Sequence, residues 1–309
     1  VTMQPLTPDD YLKLKPFFVR QPHQLSVYSL PSLICWDNVI YKPVYQIRDH
    51  VLLIGSICLP RPEENHLILP IAPEWDAEPD ELCKLACELG FRRFSFVPEE
   101  YVLRHGLMGS SPYFECTEQR EYNDYIYKTD DLIRLKGNRY ANKRNWITRF
   151  LNKNANKYSL EKITRDNAGE CLDFIEAWCR YYVCTMPENE SLACEKQAAI
   201  NMINHIEDLE VEGLLVRIEE TVSAFAIRTP LSENMANLTF EKAFPDIMGL
   251  YPFLDRECAR LLFADYEFIN KESDMGLAGL AQSKESYHPV MRRKSYCLQM
   301  KKDVNTLHP

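Results

Sequence analysis

The sequence predicts a mixed α/β fold built as two domains in tandem, and three observations carry that reading. The chain has 309 residues, roughly twice the length of a common domain of about 150 residues. Both halves alternate strand-like apolar runs with segments of helical periodicity. Between them, residues 132–160 contain no Asp or Glu, yet hold Arg134, Lys136, Arg139, Lys143, Arg144, Arg149, Lys153 and Lys157.

In the first half a helix is expected over residues 10–18, followed by strands at 44–47 and 51–58 that form a meander. Residues 66–72 read as another strand. A helix is expected over 79–89, with Asp80 in its first turn and Gly90 closing it. A strand at 94–97 and a helical turn at 101–105, stopped by Gly106, follow. In the second half two helices, 168–182 and 192–209, are separated by the breaker Pro187. Strands at 214–218 and 222–227 flank Glu219-Glu220-Thr221 and predict a hairpin without the usual Asn-Gly. A strand at 237–243, a helix at 250–263, a strand at 266–269, a helix at 277–286 and a strand at 295–300 complete the pattern. The expected domains are 1–135 and 158–309, joined by a basic connecting helix at 136–157, with one large mixed sheet as the alternative.

Composition narrows the classes of function. A net charge of −9 disfavours a generic nucleic-acid binder, although the basic segment shows how unevenly the charge is spread. The eleven Cys lack a CxxC pair and follow no charged-then-apolar leader, so a reducing compartment, the cytoplasm, is expected. Cys83 and Cys87 are four apart on a helix, but no second ligand pair matches them, and core packing is the reading; no metal is expected. The apolar runs at 51–54 and 67–71 fall far short of the roughly 20 residues that a membrane-spanning helix needs.

Three constellations have chemical content. On a helix over 139–153, Tyr140, Ile147 and Leu151 share a face, with Phe150 at its edge. Arg144 falls about 40° from Tyr140 and Lys143 about 60° the other way, while Asn145 and Arg149 point outward. Inward cations either snorkel or meet an acidic partner or anion at a domain junction. Asp124, Asp130 and Asp131 are near enough in sequence to be such partners. The second constellation is the strand Thr239-Phe240-Glu241-Lys242-Ala243, followed by Ile247-Met248-Gly249-Leu250 and a helix start, where backbone N–H groups can cradle a phosphate. Alternation puts Glu241 and Lys242 on opposite faces. The third, residues 270–279, places Asn270, Lys271, Glu272, Ser273 and Asp274 where a strand ends and a helix begins.

These stretches resemble the C-terminal domain of phosphatidylglycerol lysyltransferase. The likeness is densest in DYIYKTDDLIRLKGNRYANKRNWITRF (124–150), FEKAFPDIMGLY (240–251) and INKESDMGLAGLAQSKESYHP (269–289). The resemblance implies a tandem pair of GNAT-like acyltransferase domains, each a mixed sheet flanked by helices, as in Fem-type aminoacyltransferases. It also implies a transfer cleft beside the strand at 237–243, a pyrophosphate position at the loop 245–251 and Tyr287 near the leaving group. The chain departs from the family pattern at Ala278 and Ala281, where Glu and Arg are usual. Lys271 stands for an Arg, Ser273 for an acid and Trp146 for a His.

The activity so implied is transfer of an acyl group, foremost an aminoacyl group from aminoacyl-tRNA to an amine or hydroxyl, in which orientation supplies much of the rate. The alternatives are an acyl-CoA-dependent N-acyltransferase and a non-catalytic binding module of the same fold. Glu241 or Glu272 is the candidate base, and Tyr287 or Tyr251 the candidate acid. Lys143, Arg144, Asn145, Ile247, Met248, Gly249 and Leu250 are the candidate donor-binding residues. Glu241 as an ion-pair partner, Asp274 as a helix cap and Tyr287 as core are the plainer readings of those side chains. No tightly bound cofactor and no obligate protein partner are expected; the tRNA acceptor end is the expected contact, with any lipid acceptor met at the bilayer surface.

Overall fold

The computed structural model describes residues 3–73, 76–109, 111–182 and 190–302. In chain order its elements begin with β1 (Gln4–Pro5), α1 (Tyr11–Phe18), α2 (Leu30–Cys35), β2 (Tyr41–Arg48) and β3 (Val51–Cys58). Next come β4 (His66–Leu67), α3 (Pro79–Leu89), β5 (Arg93–Pro98), α4 (Glu99–Arg104) and β6 (Phe114–Glu118). They are followed by β7 (Asp124–Lys128), α5 (Thr129–Arg134), α6 (Ala141–Lys153), β8 (Tyr158–Lys162), α7 (Ala168–Tyr182) and α8 (Glu190–Asn204). The chain continues with β9 (Glu212–Ile218), β10 (Thr221–Pro230), β11 (Met235–Ala243), α9 (Leu250–Leu262) and β12 (Phe268–Asn270). It closes with α10 (Ala278–Glu285), β13 (Met291–Arg293) and β14 (Ser295–Met300).

These strands form two seven-stranded mixed sheets, ordered β1-β2-β3-β4-β5-β14-β6 and β13-β7-β12-β11-β10-β9-β8. The paired mixed sheets expected from the sequence are therefore present. The chain divides into two compact units, one of residues 1–124, 273–281 and 292–309, the other of 125–272 and 282–291. This differs from the expected division at 135 and 158. The basic helix α6 lies inside the second unit, and β14 joins the first sheet by pairing with β5 and β6.

Within the first unit, β2 and β3 pair from Tyr41↔Cys58 to Arg48↔Val51, leaving Asp49 and His50 as a two-residue loop with φ of 47° and 66°. Positive φ at both loop residues matches the right-handed twist of the strands. The expected strand at 66–72 shortens to β4, and Ile71 makes only an isolated bridge to Leu52. Its residues Leu67 to Ala72 are all buried, so this run is apolar because it is core.

Within the second unit, β9 and β10 form the predicted hairpin, with Glu219 and Glu220 at φ 47° and 68°. From β10 the chain turns back antiparallel into β11, then crosses through α9 to β12, which is parallel to β11. β12 pairs antiparallel with β7. The helix α9 buries Leu250, Phe253, Leu254, Cys258, Ala259 and Leu262 against this sheet's core. α7 and β14 have the expected limits, while α8 starts and ends earlier than expected. The breaker Pro187 lies outside the described residues. Among the described helices none is long and apolar enough to cross a membrane.

Candidate functional site

The helix α6 decides which of its two adjacent cations faces inward. Residues 138–140 form a 3-10 turn, and the α-helix starts only at Ala141, so Tyr140 does not set the phase of the helix. The buried face runs through Ile147 and Phe150, and Lys143 precedes them by four and seven residues, on the same face. Arg144 is exposed, contrary to the inward position expected from counting at Tyr140. Its guanidinium donates to the carbonyls of Leu135 (2.5 Å) and Gly137 (2.7 Å). Leu135 ends α5 in a left-handed conformation at φ 47°, so Arg144 answers the carbonyl of that helix end and shares the Gly137 carbonyl with the Tyr140 amide.

Lys143 instead reaches a cluster of ionisable side chains brought together from β11, α9 and the segments after β12 and α10. Its ammonium rests over the Tyr287 ring, 3.6 Å from the centroid. Lys271 stands over the same ring at 4.9 Å. The Lys271 ammonium donates to both Asp255 oxygens at 2.7 and 2.6 Å and lies 3.1 Å from Glu241 Oε2. Lys284, also buried, donates to the Lys271 carbonyl. Tyr127 donates to the Lys284 carbonyl at 2.7 Å, and Tyr140 to the Tyr287 carbonyl at 3.0 Å, pinning the far walls.

Burial sets the proton affinities here. It pushes the Glu241 carboxyl up to about 7, with the negative Asp255 adding to the rise and Lys271 opposing it. Burial pulls the Lys143 ammonium down to about 8. Lys271 is raised despite its burial, because Asp255 and Glu241 flank it. The Tyr287 phenol is held well above its usual range by burial and then by the same two carboxylates, so it stays protonated. The Glu241 side chain is 16% exposed, yet its Oε1 is buried and lacks a hydrogen-bond partner among the described residues.

The other residues singled out from sequence are placed differently. Gly249 (φ 81°) caps the start of α9, and a Cβ there would sit 2.2 Å from the Trp146 carbonyl oxygen of α6. The glycine is thus required by helix contact. The amides of Ile247 and Leu250 bond to Phe244 and Ile247 carbonyls inside the turn; Leu250 is buried, Met248 exposed. Tyr251 packs against the unit's core, and Asn145 is exposed. Glu272 has left-handed backbone at φ 58°, its amide taken by Asn270 Oδ1 at 2.7 Å and its carbonyl by the Tyr125 amide. Glu241, Tyr287 and Lys143 are the ones the structure brings together.

Sequence reasoning misses Asp255, although its signal is present: Asp255, Cys258, Ala259 and Leu262 recur at the spacing of one buried helix face. Lys271 stands out in the sequence as a polar residue at a strand end and as a departure from a family pattern, with no role assigned to it, yet it is the cation that both carboxylates share. A separate cavity of about 450 Å³, lined by Ile133, Leu151, Phe253, Arg256, Glu257 and Arg260 among others, includes none of the cluster residues. Its two arginines are both paired with Glu257. Among the described residues no group of His, Cys, Asp and Glu is arranged to hold a metal ion.

Comparison with known proteins adds relatives to this geometry. The family model for the C-terminal region of phosphatidylglycerol lysyltransferase matches residues 64–299. A conserved protein of unknown function from Bacteroides thetaiotaomicron superposes with a TM-score of 0.86 at 26% identity, over 97% of this chain and 99% of that one. The C-terminal domain of a putative lysylphosphatidylglycerol synthetase from Agrobacterium fabrum does so with a TM-score of 0.66 at 13% identity, over 97% and 93%. For L-PGS from Bacillus licheniformis the values are 0.62 and 15%, over 98% and 96%. The last two likenesses establish a shared fold. No curated protein matches the chain.

Proposed function

The chain belongs to the phosphatidylglycerol lysyltransferase C-terminal family, and from that membership we propose that it is an acyl-group transferase that moves an aminoacyl group from aminoacyl-tRNA to an acceptor amine or hydroxyl. The observation that carries the reading is Glu241. Its carboxyl is raised to about 7 and presents a buried oxygen that no described residue answers. A general base works best with a proton affinity near the working pH and an open acceptor atom.

In this reading Glu241 takes the proton of the attacking group, and Lys271 holds the carboxylate in place from its other oxygen. Asp255 keeps Lys271 charged and oriented and accepts a hydrogen bond from the Tyr287 hydroxyl. Tyr287, kept protonated and hydrogen-bonded to Asp255, has an O–H and not a phenolate, and turning that O–H away from Asp255 suits it to hydrogen bonding with the oxygen that leaves. Little further chemistry is required of the protein, because an activated ester needs chiefly orientation.

The test is transfer from labelled, charged tRNA by the purified chain, with acyl-CoA thioesters offered in parallel. Wild type is expected to discharge tRNA onto an acceptor at a rate that rises with pH through about 7, as Glu241 loses its proton. Glu241→Gln is expected to lower the rate about 100-fold and to remove that rise. Equal rates and equal pH profiles for the two proteins would sink Glu241 as the base. Turnover of thioesters with charged tRNA left intact would move the donor to acyl-CoA.

A further inference from the structure

Two groups of opposite charge in the second unit's cluster are left unanswered by the protein. Lys143 makes no hydrogen bond or ion pair with any described residue, and its ammonium rests over the face of Tyr287. Glu241 offers Oε1, buried and without a partner among the described residues, while Oε2 is held by Lys271. The two are neighbours of the same pair of residues, since Lys271 both binds Glu241 and shares the Tyr287 ring with Lys143. Between them the Lys271–Asp255 pair is satisfied internally. A buried polar atom is ordinarily answered, so the bare Glu241 Oε1, beside the half-buried ammonium of Lys143 that no carboxylate pairs, marks a place for a ligand carrying both signs.

We propose that this site binds a free α-amino acid, its carboxylate on the Lys143 ammonium and its amino group on Glu241 Oε1, and that the amino acid is the acyl acceptor. The acceptor role rests on the acyl-transfer reading; the binding does not. A simple anion would answer Lys143 and leave Glu241 Oε1 bare, and a simple cation would do the reverse. In the transfer, the acceptor ammonium loses one proton to Glu241. Its nitrogen lone pair then forms the N–C bond to the ester carbonyl carbon of the donor. The ester C–O bond breaks with its electron pair going to the ribose oxygen, which leaves with a second proton from nitrogen, and the product is an N-acylated amino acid and an uncharged tRNA end. The positive charge of Lys143 also sets the carboxylate end apart from the reacting end, which fixes the orientation of the acceptor.

Isothermal titration of the full chain with glycine, glutamate, acetate, methylammonium and inorganic phosphate, near neutral pH and without any donor, tests the proposal. At least one of the two amino acids is expected to bind about tenfold or more tighter than acetate or methylammonium, because each end contributes a charge-assisted bond. Lys143→Met is expected to erase the advantage over methylammonium, and Glu241→Gln the advantage over acetate. Melting curves of the unliganded variants establish that they fold, with Lys143→Gln used where Lys143→Met does not. Phosphate or acetate binding as tightly as both amino acids would overturn the proposal, as would unchanged amino-acid affinity in both variants or no amino-acid binding at all. The two readings fail separately. Amino-acid binding without acylation defeats the transfer, whereas transfer to other acceptors without amino-acid binding defeats only the acceptor class.

Discussion

Lys143 and Arg144 are adjacent cations with different tasks, and the difference comes from one turn of backbone. Arg144 fastens the segment that follows α5 through two carbonyls, both of which accept from its Nη1. Replacing Arg144 with Lys keeps the charge but loses the guanidinium N–H groups aimed at the two carbonyls. The expected result is a stability loss of about 1 kcal/mol, read as a lower melting temperature, with ligand affinity per folded molecule unchanged. A variant that melts like wild type but loses affinity would show that Arg144 contacts the ligand instead. The sequence does not separate these cations, because counting helical angles from Tyr140 assumes a helix where a 3-10 turn stands. Glu241, Tyr287 and Lys143 are legible as polar or aromatic residues in strand-end and helix positions. Their meeting point is not, since Lys271 and Asp255 join them only through the crossover from β11 to β12.

At the scale of elements, the helix–helix contact at Gly249 shows how a motif can suggest one property and serve another. The loop before α9 has the sequence marks of a phosphate cradle, yet the glycine lets the α6 backbone approach the start of α9. A side chain there meets two penalties, a left-handed φ of 81° and overlap with a backbone oxygen that cannot rotate away. Gly249→Ala is expected to destabilise the protein by about 3 kcal/mol or more. Chemical denaturation checks it, and a loss under about 1 kcal/mol, the ordinary scale of a surface change, would contradict the geometry. Elements with a strong local signal are legible. α3 has its capping glycine and its acidic first turn, and both hairpins have short polar loops between apolar runs. β6, β7 and α5 are not legible, because β6 is short with alternate residues half exposed and β7 runs straight into α5 without a breaker.

For the whole molecule, length and the alternation of periods point to two mixed sheets, and two are present. What local pattern cannot contain is strand order. β14 is recognisable as a strand within its observed limits, but not as a strand of the first sheet, because its partner β5 lies some two hundred positions earlier. That placement has a direct consequence. β14 sits between β5 and β6, where it is the sole strand partner of β6 among the described residues, and it buries Tyr296, Leu298 and Met300. Removing three such side chains costs about 2–5 kcal/mol each, and the sum is comparable to the entire stability of a domain, about 5–15 kcal/mol. A chain ending at Arg293 is therefore expected to lose hydrogen-exchange protection in β2, β3 and β5 while the amides of β9, β10 and β11, in the other sheet, remain slow. Protection of the first sheet unchanged by the truncation would show that its strands cohere without β14, and would contradict the strand order on which the division into two units depends.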